Sequence, residues 1–348
     1  MRVLVTGGAG YIGSHVCVSL ADRGHDVVIL DNFCNSDPVV LDRLRALVGD
    51  VPHVRADVRD LSVVRSTLRR HRIGAVVHCA GLKSVGESCE RPLDYFANNI
   101  TGSIALLAAM RAEDVRLFVF SSSATVYGAP VSCPVTESAP LSSINPYGRS
   151  KLVAEDIIRD ACAAHSDFHA AILRYFNPVG AHPSGLIGEA PSGEPNNLMP
   201  IVCQVADGQR EELKVFGGDY PTRDGTGVRD FIHVVDLADA HSAAIEYLSR
   251  EHRSLTVNVG TGRGYSVLEL VRAMERASRR TVAYRFVERR EGDAAEVYAD
   301  PTRARQLLKW SAHFGLDEMC RDAWQWHAGN PHGYADQETA ATEMAVVA

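Results

Sequence analysis

The sequence predicts an α/β protein built on a Rossmann-type, doubly wound parallel sheet, with a smaller mixed α/β domain after it. Three observations support this fold class. A strand pattern at residues 2–6 runs into a glycine-rich turn and a helix, apolar runs then alternate with helical patterns, and the composition becomes loop-rich from Phe176. Strands that alternate with helices of about 10 to 15 residues form parallel βαβ units.

The first unit carries glycines at the turn between its strand and its helix. Gly7, Gly10 and Gly13 follow the strand, and the helical pattern then continues to Gly24, the expected helix end. In such a turn the backbone amides approach a pyrophosphate, and the helix N-terminus faces it. The order of strand, turn and helix therefore predicts a dinucleotide site.

An acidic residue follows the second strand pattern. The run Val27–Leu30 ends in Asp31, about 20 residues beyond the glycines, where an acid accepts hydrogen bonds from the ribose hydroxyls. A carboxylate there repels a 2'-phosphate, so we expect NAD and not NADP. The alternative is an ordinary acidic turn residue.

The alternation continues through a strand at 53–56, a helix at 60–71, a strand at 75–79, a helix at 92–111 and a strand that enters Ser121. The carboxyl ends of parallel strands meet at one edge of the sheet, where ligands bind. We therefore expect a site at that edge, outlined by the strand-end residues Gly7, Asp31, Asp57, Gly81 and Ser123.

The stretch from Ser121 to Lys151 carries the candidate chemistry. Pro146 suits the first turn of a helix, which places Tyr147 and Lys151 one turn apart on the same face. A neighbouring ammonium and a helix N-terminus both favour a phenolate over a phenol of pKa ~10. Tyr147 is thus a candidate base, with Ser123 holding the substrate oxygen. The alternative is a surface helix that carries Tyr and Lys by chance.

The later part of the chain predicts a second unit. Residues 170–175 form another strand pattern, and prolines, glycines and asparagines crowd the region after it. We place an NAD-binding domain at 1–174, with a return of the chain near 231–257, and a substrate domain at 175–335. Ser266 to Glu269 predicts a capping box, and residues 337–348 predict a disordered tail.

Composition excludes several classes of protein. The 348 residues are 46% hydrophobic, and their net charge of -7 contains no block of like charge, so we expect no nucleic-acid partner. The sequence shows neither a signal peptide nor a membrane span, which predicts a cytoplasmic protein without a membrane partner. The eight cysteines have no Cys-x-x-Cys spacing, and we expect no disulfide and no metal site.

Together, the glycine turn, Asp31, Ser123 and the Tyr147/Lys151 pair resemble the extended short-chain dehydrogenase/reductase family. Within that family the chain is similar, over residues 1 to 335, to the enzymes that epimerise UDP-hexoses at C4. The specific stretches are residues 81–88, GLKSVGES; 174–183, RYFNPVGAHP; 195–200, PNNLMP; 225–230, GTGVRD; and 289–293, RREGD.

The resemblance implies NAD-dependent interconversion of UDP-galactose and UDP-glucose, as in galactose metabolism, through a 4-keto sugar. Tyr147 would remove the proton of the 4-hydroxyl, Lys151 would bind the nicotinamide ribose and lower the pKa of Tyr147, and Ser123 would hold the 4-oxygen. Because the keto sugar has to turn over without escaping, most binding should fall on the nucleotide. Helices near 92–111 and 146–164 would pair in a homodimer.

The resemblance also assigns binding residues. Arg229 and Arg290 suit a pyrophosphate, since guanidinium groups donate in pairs to phosphate oxygens. The alternative for these two residues is a solvated surface arginine. For Asn177 and Asn197 the alternative is a turn residue beside a proline. The implied NAD site is Gly7, Gly10, Tyr11, Ile12, Gly13, Asp31, Asn32, Asn35, Ser36, Asp57, Val58, Cys79, Ala80, Gly81, Lys83, Asn98, Tyr147, Lys151 and Phe176; the implied UDP-sugar site is Ser123, Asn177, Asn197, Leu198, Phe216, Arg229, Arg290, Asp293 and Val297.

One position differs from some members of the family. Four residues after Asp293 these enzymes can carry a tyrosine that narrows the sugar pocket, whereas this chain has Val297. The smaller side chain leaves room for an N-acetyl group. We therefore hypothesise that UDP-GlcNAc and UDP-GalNAc are also interconverted.

Other activities are compatible with this scaffold. Dehydratases of the family usually carry an acidic pair after the fifth strand, where this chain has Ser123-Ala124-Thr125, which argues against dehydration. A nucleotide-sugar decarboxylase or a uronate 4-epimerase stays open. A non-catalytic NAD-sensing regulator is the remaining alternative, although such proteins commonly lose the Tyr/Lys pair.

Overall fold

The computed structural model describes residues 1–191, 193–290 and 292–335, so the predicted tail at 337–348 lies outside the described residues. Short apolar runs form the strands. In chain order these are β1 Arg2–Thr6, β2 Asp26–Asp31, β3 His53–Arg55, β4 Ala75–His78, β5 Leu117–Ser123, β6 His169–Tyr175, β7 Asn177–Val179, β8 Leu213–Phe216, β9 Val228–Arg229, β10 Phe231–His233, β11 Leu255–Val259, β12 Tyr265–Ser266, β13 Tyr284–Val287 and β14 Glu296–Val297.

Helices connect these strands, and short 3-10 segments occupy 124–127 and 333–335. None of the helices in the described ranges is long and apolar enough to cross a membrane. The helices are α1 Tyr11–Asp22, α2 Val39–Val48, α3 Leu61–Arg70, α4 Val85–Glu90, α5 Pro92–Ala112, α6 Pro146–Ala164, α7 Leu198–Asp207, α8 Val234–Glu251, α9 Val267–Ser278, α10 Thr302–Leu308 and α11 Leu316–Gly329.

Seven strands form one parallel sheet in the order β11-β6-β5-β4-β1-β2-β3. The chain moves outward from β1 in one direction through β2 and β3, and in the other through β4 to β6. This is the doubly wound topology that the sequence predicts. The change of direction lies between β1 and β4, which is where ligands bind to such sheets.

Alternate side chains of the sheet enter two different cores. Val3 and Val5 of β1 pack in one buried cluster, whereas Leu4 packs in the other. Successive side chains of a strand point to opposite faces, so a strand covered on both faces is apolar throughout. Helices α1, α2 and α8 cover the first face, and α3, α5 and α6 cover the second.

A third core lies outside the large sheet. Helices α7, α9 and α11 pack around Val202, Leu270 and Met319, next to small sheets of order β10-β7, β12-β9-β14 and β13-β8. The capping box expected at the start of α9 is confirmed, because the Ser266 and Glu269 side chains each bond the backbone of the other residue.

The later strand patterns divide between two sheets. Residues Leu255–Val259 form β11, which pairs with β6 at the edge of the large sheet. The run that begins at Phe231 also forms a strand, but this strand pairs with β7 and not with the large sheet. It has three residues before α8 begins at Val234. Both patterns are apolar, and only tertiary pairing distinguishes them.

Candidate active site

The turn after β1 brings backbone amides to the carboxyl edge of the sheet. Gly7 has φ +68°, a conformation that favours glycine, and a Cβ on Gly13 would lie 2.0 Å from the Gly7 carbonyl oxygen. No side chain caps α1 and no acidic residue occupies its first turn. The start of this helix is therefore open to an anion, as a dinucleotide pyrophosphate requires.

Asp31 lies at the end of β2 with only 7% of its surface exposed. Its carboxylate accepts hydrogen bonds from the backbone amides of Ala9 (3.0 Å) and Phe33 (2.9 Å) and from the Ser36 hydroxyl (2.9 Å). The acid thus ties the glycine turn to the loop after β2. This network holds the carboxylate in a fixed position at the edge of the cleft, where a ribose can reach it.

Asp57 marks the end of the next strand. It accepts from Asn32 at 3.1 Å, and its hydrogen bond from the Arg59 guanidinium lowers the pKa of the carboxyl to about 2. It therefore stays ionised, and it supports Asn32 in the wall of the cleft.

One cleft runs along the carboxyl edge of the sheet and collects most of the predicted NAD residues. Asp57 is outside this lining, beside Asn32, and Phe176 is buried in a separate apolar cluster. The predicted residues that line the cleft are Gly7, Gly10, Tyr11, Ile12, Gly13, Asp31, Asn32, Asn35, Ser36, Val58, Cys79, Ala80, Gly81, Lys83, Asn98, Tyr147 and Lys151.

Helix α6 begins where the sequence predicts. The Asn145 side chain accepts from the Gly148 amide at 2.8 Å, and Pro146 occupies the first turn. Tyr147 and Lys151 follow on one face and are 6% and 5% exposed, respectively, so both face the cleft and not bulk water. The interpretation of the Tyr-x-x-x-Lys pair as a surface feature is therefore wrong.

Lys151 is held beneath the cleft. Its ammonium donates to the Ser121 carbonyl oxygen at 2.8 Å and lies 5.0 Å from the centre of the Phe120 ring. Burial lowers the pKa of Lys151 to about 8. The hydrogen bond and the ring face compensate part of the cost of burying the charge.

Tyr147 lies among hydroxyl groups. Ser123 and Tyr175 are directly paired residues of β5 and β6, and both side chains lower the pKa of Tyr147. The Ser123 oxygen also accepts from the Thr125 hydroxyl at 3.0 Å, which directs its own proton away from Thr125. Tyr147 and Tyr175 line the cleft with Ser123 at the adjoining strand end, an arrangement that suits proton transfer to and from a sugar hydroxyl.

The pKa of Tyr147 differs from the sequence expectation. Burial raises it above its usual value, and the hydrogen bonds with Ser123 and Tyr175 offset only part of that rise. The Lys151 ammonium donates to the Ser121 carbonyl oxygen. Desolvation of the phenolate thus outweighs the favourable neighbours.

A buried ion pair fixes the catalytic helix to the sheet. Arg174 and Glu155 are 2% and 0% exposed, and the guanidinium donates to both carboxylate oxygens, at 3.0 and 2.6 Å. Ser122 donates to the same carboxylate at 2.5 Å. Glu155 lies one turn after Lys151, and two of its partners, Arg174 and Ser122, are the chain neighbours of Tyr175 and Ser123. The pair therefore sets the position of α6 relative to both strands.

The predicted UDP-sugar residues form two neighbouring groups around the small sheets. The Arg290 guanidinium stacks on the Phe216 ring, 3.9 Å from its centre. Arg229 bonds the Asp293 carboxylate, and it is paired in register with Val297. Each arginine thus lies beside an aromatic or acidic partner, with exposed surface available to a phosphate.

The remaining predicted sugar residues have other surroundings. Val297 packs against the apolar cluster of Val126, Tyr127 and Phe176, just beyond the Ser123 strand end. Asn177 is exposed at the start of β7. Asn197 precedes α7, which begins at Leu198, and its side chain donates to Glu189 at 2.6 Å.

Sequence reasoning missed several polar residues of the cleft, among them Tyr175 and Glu189. Tyr175 lies at the end of a predicted strand, and the strand-end argument that selected Ser123 would also have found it. Glu189 also lines the cleft, but it comes from the loop-rich region, where no periodic pattern indicates its position.

Comparisons with known proteins agree with this geometry. Residues 3–260 match the model of the NAD dependent epimerase/dehydratase family. UDP-glucose 4-epimerase of Bacillus subtilis is 53% identical over 97% of this chain and 100% of its own length. The mouse (Mus musculus) UDP-glucose 4-epimerase is 52% identical over 97% and 99%.

Solved structures give the same result. The UDP-glucose 4-epimerase of Stenotrophomonas maltophila, with bound NAD and formylated UDP-arabinopyranose, has a TM-score of 0.94 and 54% identity over 95% of this chain and 99% of that one. That of Bifidobacterium longum, in complex with NAD+ and UDP, has a TM-score of 0.92 and 46% identity over 96% and 100%. The chain therefore belongs to the NAD-dependent epimerase/dehydratase family, and within it to the UDP-glucose 4-epimerases.

Proposed function

We propose that the protein is an isomerase that interconverts UDP-galactose and UDP-glucose by NAD-dependent epimerisation at C4, in galactose metabolism. The observation that carries this proposal is that the buried Tyr147 and Lys151 line the same cleft as the glycine turn and Asp31, with Ser123 at the strand end paired to Tyr175. Its family relatives, at about half identity over nearly the full chain, support the reaction.

The residues of the cleft fit NAD. The turn at Gly7 and Gly13 leaves no space for side chains, so backbone amides can approach a pyrophosphate closely. The fixed Asp31 carboxylate suits a ribose with free hydroxyls and repels a 2'-phosphate. When bound, NAD+ supplies the acceptor for the C4 hydride and later returns that hydride to the sugar.

The chain's own groups perform the proton chemistry. Ser123 holds the 4-oxygen of the sugar, and Tyr147 takes the hydroxyl proton as the 4-keto sugar forms and returns it afterwards. Lys151 contributes a positive charge close to the phenol and can bind the nicotinamide ribose. Tyr175 lowers the pKa of Tyr147 and so favours the phenolate.

We propose that the two units of the chain divide the ligands. Residues 1–174, with a return near 231–257, hold the cofactor, and residues 175–335 hold the UDP-sugar. Arg229 and Arg290 would bind the pyrophosphate, because guanidinium groups pair well with phosphate oxygens. Strong nucleotide contacts and few sugar contacts allow the keto sugar to rotate without leaving.

Val297 is the residue that we propose as the wall of the sugar pocket. This residue packs against Tyr127 and Phe176, so its side chain lies close to the end of β5. We propose that the pocket also admits the N-acetyl group of UDP-GlcNAc and UDP-GalNAc. Val297→Tyr should suppress turnover of the acetylated sugars by about tenfold or more and leave UDP-galactose nearly unchanged. Equal loss on both substrates would refute this specificity.

We further propose a cytoplasmic homodimer that pairs α5 and α6 with the same helices of a second copy. The two helices pack side by side. On α5 the apolar side chains of Leu93 and Ile104 are 78% and 48% exposed, as expected for a face that another subunit covers. Sedimentation of the wild-type protein and of Leu93→Glu would test this assembly.

The decisive experiment offers the purified protein UDP-galactose and UDP-GalNAc in separate reactions, without added reductant, and separates the products by chromatography. Conversion of both to their gluco epimers is the expected result. Conversion of UDP-galactose alone would support the epimerase and exclude the open pocket at Val297. If neither sugar reacted with NAD+ present, the proposed function would be wrong.

A further inference from the structure

A buried carboxylate connects the cofactor side of the cleft to the substrate side. The Glu189 side chain is 9% exposed and accepts from the Lys83 ammonium at 2.8 Å and from the Asn197 amide at 2.6 Å. Lys83 belongs to the loop after β4, in the predicted NAD site, and Asn197 precedes α7, in the predicted UDP-sugar site. One carboxylate therefore contacts a residue from each half of the site.

The backbone that carries Glu189 is fixed by the C-terminal part of the chain. The Trp326 ring nitrogen donates to the Glu189 carbonyl oxygen at 3.3 Å, and the Tyr334 hydroxyl accepts from the Gly188 amide at 3.2 Å. A Cβ on Gly188 would lie 2.4 Å from the Trp326 ring, so the segment is in close contact with that ring. The backbone of Glu189 is thus rigid, and its carboxylate lies where both Lys83 and Asn197 can bond it.

The two partner loops have a second connection. The Asn196 side chain donates to the Ser84 hydroxyl at 3.2 Å, next to the bonds between Lys83, Glu189 and Asn197. The Lys83 ammonium also lies 5.7 Å from the centre of the ring of Tyr11, the first residue of α1 after the glycine turn. The contacts therefore form a continuous path from the cofactor turn to the start of α7.

We propose that Glu189 is a positioning residue that couples the binding of NAD+ to the binding of the UDP-sugar. The inference rests on the proposed function for the assignment of Asn197 to the substrate side. A ligand that orders Lys83 also orders the shared carboxylate and, through it, Asn197. The second ligand then finds its contact already in place, so each ligand should increase the affinity for the other.

Reciprocity makes this coupling measurable without turnover. If NAD+ increases the affinity for UDP by some factor, UDP has to increase the affinity for NAD+ by the same factor. We would titrate the full chain with UDP, at zero and at saturating NAD+, in a calorimeter. The ratio of the two dissociation constants is the coupling factor.

Three variants separate coupling from a merely structural role. Glu189→Gln keeps the size of the side chain and one acceptor oxygen but removes the charge that holds Lys83. We expect it to reduce the coupling factor by about fivefold or more, with an unchanged melting temperature. Lys83→Met should cause a similar loss, and the double variant should add little to either single change, because both remove one path.

Glu194→Gln is the matched control. Glu194 lies five residues further along the chain, is 85% exposed and pairs with Arg210, away from Lys83. It should leave the coupling factor unchanged.

The outcomes distinguish this inference from the proposed function. A coupling factor in Glu189→Gln equal to that of the wild type would overturn the inference, even if the protein epimerises UDP-galactose. A uniform loss of both affinities with the coupling intact would also overturn it, since that result indicates a structural role. If the coupling depends on Glu189 but UDP-galactose is not turned over, the inference stands and the proposed function falls.

Discussion

Replacement of Glu155 by glutamine tests how the catalytic helix is positioned. The carboxylate is fully buried, and it receives hydrogen bonds from Arg174, Ser122 and the partly exposed Arg159. Glutamine has the same size but leaves the Arg174 guanidinium without a compensating charge. Removal of one partner of a buried ion pair costs about 3–5 kcal/mol, and we expect the lower part of this range because one amide oxygen can still accept.

The same change should impair catalysis more than binding. Glu155 lies one turn after Lys151, and its partners Ser122 and Arg174 adjoin Ser123 and Tyr175. A displacement of the helix by about 1 Å is enough to lower a rate roughly a hundredfold. We therefore expect kcat to fall by about tenfold to a hundredfold, with KM for UDP-galactose close to that of the wild type.

The free energy of unfolding is measured by urea denaturation at neutral pH, with Asp156→Asn as the control. Asp156 is the next residue of the helix, is 65% exposed and pairs only at the surface with Arg159, so its loss should cost about 0.5 kcal/mol or less. The double variant Glu155→Leu/Arg174→Met should recover most of the stability, because it leaves no buried charge. If Glu155→Gln were no more destabilising than Asp156→Asn, the argument from the buried pair would be refuted.

Three further changes test the site. Tyr175→Phe removes a donor to Tyr147, so the phenol should become harder to ionise, and the pH at which kcat rises should move upward by roughly one unit; an unchanged pH profile would contradict the contact. Asp31→Ser removes the carboxylate that excludes a 2'-phosphate, so NADP should bind more tightly and NAD less tightly in titrations; preserved preference for NAD would exclude Asp31 as the discriminating group. Asp57 has its pKa lowered to about 2 by Arg59, so its contribution to stability is present above about pH 3.9 and is lost as the pH falls toward 2. As the pH falls through that interval, the melting temperature of Asp57→Asn should therefore decrease less than that of the wild type. Parallel plots of melting temperature against pH would contradict the lowered pKa of Asp57.

The sequence was most informative where local geometry determines function. The glycine turn, Asp31 and the Tyr147/Lys151 spacing all depend on neighbours within one βαβ unit or one helical turn, and the structure brings them to one cleft. Tyr175 depends on strand register, because it reaches Tyr147 only when β6 pairs with β5 at Ser123.

Other features required the complete fold. Glu189 bonds Lys83, which lies 106 positions earlier in the chain. Glu189 belongs to a loop whose path no local sequence pattern specifies. The pKa of Tyr147 depends on burial from every side, so the favourable neighbours visible in the sequence gave the wrong direction.

The burial of Tyr147 and Lys151 has a consequence for the protonation of both groups. Catalysis needs a phenolate beside an ammonium, yet burial lowers the pKa of Lys151 to about 8 and raises that of Tyr147 above its usual value near 10. When the two groups hold a single proton between them, the phenol and the neutral amine are therefore favoured over the working ionic form. A nicotinamide cation bound beside Tyr147 would favour the phenolate through its positive charge. Binding of NAD+ would therefore change the proton equilibrium of Tyr147 as well as supply the hydride acceptor.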